Sequence, residues 1–339
     1  MYTESNLKEQ CQQILEDNGG KVADKASRIL LEDPALNNLR PPLEFISKNW
    51  RDPLTPSMMS LSCEAVGGQS SVTHEAALAM SLMNLSFYIW DDIIDKAPFK
   101  LFKPTLVGKF GEGTALMIGG LASAKAFSIL NKMELDRTKR QTITKLFWNL
   151  WTQMAKAETV NLQIRKGNTH PEKKLSVIRM EAAADLGTCL EIGAVLGDGS
   201  TEEIKHLRQY GLCLGSILEL WKDFYTSINL TVELAEKIRS GALPYSLMWA
   251  RKHSEKLRKK IGNLNRNIEP SELKEIVNLT LETKTLNHVM NTISKFTRTA
   301  KENLNELTKN KATQTLKAFI EAQPKLFSES LMHFKEGWC

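Results

Sequence analysis

The chain has 339 residues, 42% of them hydrophobic and 25% charged, with 19 Gly and 11 Pro. That composition excludes a collagen, a coiled-coil rod and a disordered tail, and the length is enough to bury a sizeable core. The net charge of +6 is too mild to mark a nucleic-acid binder.

Met1–Gly20 is polar and charged, so no secretory signal is expected. Leu7, Cys11, Ile14 and Leu15 recur at helical spacing, as do Val22, Ala26, Ile29 and Leu30, which predicts an N-terminal helical pair over residues 1–33. Breakers follow at Asp33-Pro34, Arg40-Pro41-Pro42, Asp52-Pro53 to Pro56, and Gly67-Gly68. A long apolar helix then runs from about His74 to Asp95. Later breaks fall at Ala97-Pro98, Gly111 to Gly113, Gly167 to Pro171, Gly197 to Ser200, and Gly241 to Pro244. Ser200-Thr201-Glu202-Glu203 reads as a capped helix start, and the helix behind it carries Ile204, Leu207, Tyr210, Leu214, Ile217, Leu218 and Trp221 at helical spacing.

No sustained period-two alternation occurs, so no sheet is expected. The prediction is one all-α domain over residues 1–339, about a dozen antiparallel helices joined by short loops. Beyond about residue 255 the chain is polar and Lys/Asn-rich, and helices there are expected at the periphery. The basic run Arg251, Lys252, Lys256, Arg258, Lys259, Lys260 reads as a solvated helix face. The five cysteines, at 11, 63, 189, 213 and 339, form no C-x-x-C pair, so a reducing, cytoplasmic setting is expected. No stretch reaches the roughly 18 uncharged apolar residues of a membrane span. The six histidines are scattered without ligand spacing.

The feature richest in chemistry is Asp91-Asp92-Ile93-Ile94-Asp95, at the end of the apolar helix. Residues four apart share a helix face, so Asp91 and Asp95 lie one turn apart with Asp92 beside them. Three carboxylates this close repel one another unless a cation sits between them. Hard oxygen donors favour magnesium, with manganese as an alternative.

The segment from Gly67-Gly68 to Asp95 resembles the first aspartate-rich region of the trans-isoprenyl diphosphate synthases, in the class I terpenoid synthase superfamily. The likeness continues through Phe110-Gly111, Gly193-Ala194-Val195-Leu196-Gly197, Tyr210-Gly211 to Thr226, and Leu243-Pro244-Tyr245, and so spans about residues 45–255. Residues 256–339 would then be peripheral C-terminal helices. The resemblance implies a helical bundle around a deep central pocket, two acidic motifs facing each other, magnesium bound by Asp91, Asp92 and Asp95, an allylic prenyl diphosphate substrate, and a homodimer. It also makes Phe87, one turn before Asp91, the residue that floors the pocket and limits chain length. Asn84, Trp90 and Trp221 would line the pocket with it.

The departures are informative. Where the family has "G-G-K-x-x-R-P" for the homoallylic diphosphate, this chain reads Asn49-Trp50-Arg51-Asp52-Pro53-Leu54-Thr55-Pro56, and only Arg51 offers a base. The family's His before the first motif is Asn84, its Arg-Arg pair is replaced by Lys96, Lys100 and Lys103, and its Lys-Thr pair falls near Met180-Glu181-Ala182, with Arg179 the nearest base. The second motif, "Q-x-x-D-D-x-x-D", reads Glu219-Leu220-Trp221-Lys222-Asp223-Phe224-Tyr225-Thr226. Glu219 and Asp223 share a helix face as a candidate second metal pair, and Lys222, Arg179 and Arg51 are the candidate diphosphate contacts. Loss of the second diphosphate site tilts the sequence reading toward a terpene synthase using one allylic diphosphate. A chain-elongating prenyltransferase that uses isopentenyl diphosphate is the alternative, and a non-catalytic subunit of a synthase heterodimer is the second.

Overall fold

Helix dominates the computed structural model, which describes residues 4–100, 103–165, 170–264 and 268–336. In chain order the α-helices are α1 (Glu4–Arg28), α2 (Arg40–Asn49), α3 (Leu54–Ala65), α4 (His74–Ile94), α5 (Leu106–Lys132), α6 (Arg137–Arg165), α7 (Pro171–Ala182), α8 (Thr188–Leu196), α9 (Thr201–Ile228), α10 (Val232–Ser240), α11 (Tyr245–His253), α12 (Glu255–Gly262), α13 (Pro270–Glu282), α14 (Thr285–Asn305) and α15 (Lys311–Glu336). A single π-helical turn, Ala183–Gly187, joins α7 to α8.

The all-α expectation holds, with one small exception. Phe99–Lys100 (β1) and Lys103–Pro104 (β2) pair as a short antiparallel ribbon, with Phe99 opposite Pro104 and Lys100 opposite Lys103. Two residues per strand are too few for a period-two pattern to register in the sequence.

α4 is apolar nearly all round because it is buried nearly all round. Ala76, Ala77, Ala79, Met80, Leu82 and Met83 are fully buried between α3 and α5. α9 is the second central helix, flanked by α7, α8 and α14. The Ser200 capping box forms: Glu203 N–H donates to Ser200 Oγ while Glu203 Oε2 accepts from Ser200 N–H at 2.8 Å.

Several details differ from the sequence reading. α1 is one helix rather than a pair, because Gly19 lets it lie directly on α3: a Cβ there would come within 2.4 Å of Pro53 O and 2.6 Å of Ser57 N. The break expected over Gly111 to Gly113 is confined to Gly111 (φ 81°), and α5 continues past it. The C-terminal helices are not merely peripheral. α14 lies along α9 with Val289, Ile293 and Ala300 buried, and Phe327 of α15 packs on Phe224 with ring centroids 5.6 Å apart. Their polar composition reflects one solvated face on otherwise core-packed helices.

The basic run is laced with ion pairs, among them Lys259–Glu255 at 3.0 Å and Lys260–Glu275 at 2.7 Å. Cys11, Cys63, Cys189 and Cys213 are buried and unbridged, and Cys339 lies outside the described residues, as does most of the Gly167–Pro171 break. Among the described residues, α5 alone is long and apolar enough to cross a bilayer by length and composition. One side of it packs on α4.

Candidate functional site

Three carboxylates at the end of α4 oppose the negative pole of the helix dipole, so this terminus is favourable only if cations compensate it. The fold supplies them from three other elements. Lys96, at φ 51°, turns the chain out of α4, and Ala97 N–H closes the helix on Asp92 O at 2.9 Å. The β ribbon then returns Lys100, whose Nζ lies 2.7 Å from Asp91 Oδ2 and 2.6 Å from Asp92 Oδ1. Asp95 is gripped by Arg165 at 2.6 Å, from the end of α6, and by Lys237 at 3.1 Å, from α10.

The three acids are not equivalent. Asp91 and Asp95 line a polar mouth, whereas Asp92 is fully buried beneath them. Asp92 Oδ1 meets Lys100 as an ion pair off the line of a hydrogen bond, and Oδ2 has no hydrogen-bond partner. Burial pushes the Asp92 carboxyl up to about 6 against the pull of Lys100. At Asp91 the cost of desolvation is outweighed by Lys100, Lys222 and Lys237, which hold it well below the usual carboxylate range. Its ordinary state is therefore the anion.

Five basic side chains surround the mouth, one each from the ribbon, α6, α7, α9 and α10: Lys100, Arg165, Lys174, Lys222 and Lys237. Lys174 is held by Asn161 Oδ1 at 2.7 Å, and Asn161 by Glu158 at 3.2 Å. Lys222 stands 3.6 Å from Glu219, which helps keep it charged.

Below the mouth a cavity of about 560 Å³ runs between α4, α6, α7, the π turn and α9. Asp91, Glu181, Glu219 and Lys222 border both spaces, so the mouth opens into the cavity. Phe87, Trp90 and Trp151 form an aromatic cluster on its wall, with ring centroids of Phe87–Trp151 and Trp90–Trp151 5.0 Å and 4.8 Å apart. Met154, Leu162, Leu186 and Leu218 continue the apolar lining.

Part of the cavity wall is acidic. Asp52 accepts from Thr55 Oγ1 at 2.6 Å, Thr55 Oγ1 accepts from Asn84 at 3.0 Å, and Asn84 also donates to Asp185 Oδ1 at 3.0 Å. Burial, reinforced by Asp52 and Glu219, pushes Asp185 up to about 7, and burial pushes Glu181 to about 7 as well. Among the described residues, Lys222 at the upper end is the one base that lines the cavity.

Asn84, Phe87 and Trp90 therefore line the cavity as the sequence suggested, while Trp221 does not. It stacks on Tyr225 and packs near Phe327. Trp151 of α6 also faces the cavity, whereas Phe147 and Phe224 are core and Trp148 is 64% exposed.

Arg51 turns away from the mouth, held by Glu16 at 2.6 Å and Asp24 at 2.7 Å on α1. Arg179 lines a separate groove on the outer side of α7. Lys222 is the expected diphosphate contact that does border the mouth.

The α9 acids Glu219 and Asp223 both line the mouth. Asp223 caps α11, accepting from Tyr245 N–H at 2.7 Å, Ser246 N–H at 3.0 Å and Ser246 Oγ at 2.7 Å. That leaves Glu219 beside a lysine. On α4, the pair Asp91 and Asp95 opens on the same mouth, with the orphaned Asp92 Oδ2 behind it. Two hard carboxylates facing a phosphate-sized polar space suit a divalent ion that completes its shell with water and substrate oxygens. Among the described residues no group of three His, Cys, Asp or Glu side chains is gathered to hold a metal by itself.

Arg165, Lys174 and Lys237 were missed by motif reading. The available signal was local: Glu158, Asn161 and Arg165 fall at i, i+3, i+7 on α6, and Lys174, Ile178 and Glu181 at i, i+4, i+7 on α7. Each set is one helix face, but nothing in the sequence says the two faces meet.

Residues 45–279 match the family model for polyprenyl synthetase. Geranylgeranyl pyrophosphate synthase 11 of Arabidopsis thaliana, a chloroplast protein, is 28% identical over 222 residues, covering 60% of this chain and 62% of its own length. The chain spans between 59% and 64% of the length of the first curated relatives it matches. The crystal structure of geranylgeranyl pyrophosphate synthetase from Pyrococcus horikoshii superposes with a TM-score of 0.80 at 20% identity, over 94% of this chain and 98% of that one. A polyprenyl synthase from Caulobacter crescentus, solved with calcium and isoprenyl diphosphate, gives 0.80 at 16% identity over 93% and 97%. The fold is thus the isoprenyl synthase fold, and with more than half its length matched by the family model, the chain belongs to the polyprenyl synthetase family.

Proposed function

We propose that the chain is a trans-prenyltransferase that binds an allylic prenyl diphosphate, with the diphosphate in the polar mouth and the hydrocarbon tail in the cavity. The observation that carries this reading is the junction of the two spaces: five cations and the Asp91–Asp95 pair open directly onto an apolar, aromatic-walled cavity of about 560 Å³. Its relatives are geranylgeranyl and other isoprenyl diphosphate synthases, which favours chain elongation over the single-substrate terpene synthase that the sequence departures suggested.

Asp91 and Asp95 would hold a divalent ion, magnesium on the chemistry of the donors, and the bound ion supplies charge neutralisation of the departing pyrophosphate. The chain's own residues do the rest. Lys100, Lys174, Lys222 and Lys237 bind diphosphate oxygens and fix the C1–O bond over the cavity. Arg165 orients Asp95. The wall of Phe87, Trp90 and Trp151 excludes water and presents ring faces to developing positive charge.

The single-substrate reading stands second because of one observation: the wall where a second diphosphate would need bases carries Asp52 and Asp185 instead. Product analysis separates the two, using magnesium and geranyl, farnesyl or geranylgeranyl diphosphate, each with and without isopentenyl diphosphate. A longer diphosphate formed only with isopentenyl diphosphate is expected. A hydrocarbon or alcohol formed equally without it would overturn the elongation reading. A third possibility, a subunit without turnover of its own, predicts no product under any of these conditions.

The proposal extends to a cytoplasmic homodimer. Leu116 (55% exposed), Met117 (62%) and Phe127 (36%) on α5, and Trp148 on α6, are large apolar side chains left exposed. Light scattering should give twice the chain mass, and a monomer at micromolar concentration would count against this pairing.

A further inference from the structure

Resting on the prenyl-diphosphate reading, we propose that Asp185 is a catalytic base, a carboxylate inside the cavity that accepts the proton lost when the prenyl cation collapses to an olefin. The placement begins with the π turn Ala183–Gly187, which adds a residue between α7 and α8 and sets Asp185 on the cavity wall. Gly211 and Gly215 of α9 let this turn approach: a Cβ at Gly211 would lie 2.3 Å from Leu186 O, and one at Gly215 would lie 2.9 Å from Ala182 Cβ.

Asn84 then fixes the carboxylate. Its amide donates to Thr55 Oγ1 and to Asp185 Oδ1, both at 3.0 Å, and Thr55 is in turn tied to Asp52. Among the described residues Asp185 makes no ion pair. The titratable groups facing it are Asp52 from the α2–α3 link, Glu219 from α9 and the Cys189 thiol of α8, while Glu181 of α7 lines the same cavity. None is a cation. This acidic neighbourhood attracts a carbocation and makes the carboxylate more basic than an ordinary aspartate. A base poised near neutral pH is best matched to proton transfer at that pH.

The step balances without a further reactant. The C1–O bond breaks with its electron pair leaving on pyrophosphate. A C–H bond next to the cationic carbon then breaks, its pair becomes the new C=C bond, and the proton passes to an oxygen of Asp185. The step is the same whether the cation arises from one substrate or after joining an isoprene unit.

Asp185→Asn is the discriminating variant, because its amide oxygen still accepts from Asn84 but takes no proton. The assay follows pyrophosphate release and products with each allylic diphosphate and magnesium, with and without isopentenyl diphosphate, on wild type, Asp185→Asn and Asp185→Glu, their folding checked by circular dichroism. Asp185→Asn should release pyrophosphate within a few-fold of wild type while olefin-forming turnover falls about 100-fold and water-captured alcohol takes its place. Asp185→Glu should recover part of the olefin.

Unchanged products and rates in Asp185→Asn would overturn the proposal. So would a folded Asp185→Asn variant that loses pyrophosphate release and product together, since that places the residue before ionisation. A wild type that releases no pyrophosphate from any of the substrates would instead defeat the underlying functional reading, and this assignment with it.

Discussion

Replacing Asp91 with asparagine should lower pyrophosphate release by about 10²–10³-fold and leave the fold intact. Asp91 faces the mouth, and its strongly held negative charge is the property that a divalent ion or an ordered lysine cluster needs. The amide keeps the shape and removes the charge, and Lys100 keeps Asp92 as a partner. Asp92 behaves differently. It is fully buried and shares the Lys100 ammonium, itself only 15% exposed. Asp92→Ala should therefore cost about 2 kcal/mol of stability in addition to activity. A chemical denaturation series on the two variants, beside a pyrophosphate-release assay, separates these effects. Undiminished turnover in Asp91→Asn would remove the metal assignment on α4.

The second large effect concerns pH. Asp185 and Glu181 have folded-state pKa values of about 7, while the unfolded chain releases the same protons near pH 4. The folded protein therefore holds protons that the unfolded chain has lost. Their stabilising contribution is complete below about pH 4 and disappears as pH rises through 7. Asp92, up to about 6, adds in the same direction. His288, lowered by burial, opposes it over part of the window. The carboxylates held low, Asp91 and Asp33 among them, act only at more acidic pH. The unfolding free energy should fall by about 2–4 kcal/mol between pH 5 and pH 8. Asp185→Asn should restore a substantial part of that loss at pH 8, since it replaces a half-buried, poorly solvated charge by a neutral isostere. A denaturant midpoint that is flat or rising over this range would contradict the assigned environment of the acidic wall. A cavity that is costly to fold at working pH is what a catalytic carboxylate entails.

Much of this was legible in the residues. The all-α fold followed from unbroken helical periodicity, and the α4 terminus followed from an apolar helix ending in Asp91, Asp92 and Asp95. Phe87, one turn before Asp91, and Asn84, where the family has a histidine, were expected on the pocket through the family resemblance. What the sequence could not carry was direction. Asp91 and Asp92 are adjacent letters, yet one faces the mouth and the other the core, because successive helical residues point about a quarter-turn apart. That Asp223 also caps α11 through the Tyr245 and Ser246 N–H groups is a tertiary contact that its spacing from Glu219 does not show. Arg51 is held by Glu16 and Asp24, far away in the chain, and its local sequence does not show that they face it. Lys100 reaches the acids through a ribbon too short to signal itself, and Arg165 and Lys237 meet Asp95 only through tertiary packing.

The central claim is that this mouth and cavity ionise an allylic prenyl diphosphate. Pyrophosphate release by the wild-type protein from geranyl, farnesyl and geranylgeranyl diphosphate, with magnesium and then with excess chelator, tests it most directly. The account predicts release from at least one of them, dependent on the divalent ion and abolished in Asp91→Asn. No release from any of the three, with or without isopentenyl diphosphate, would contradict it.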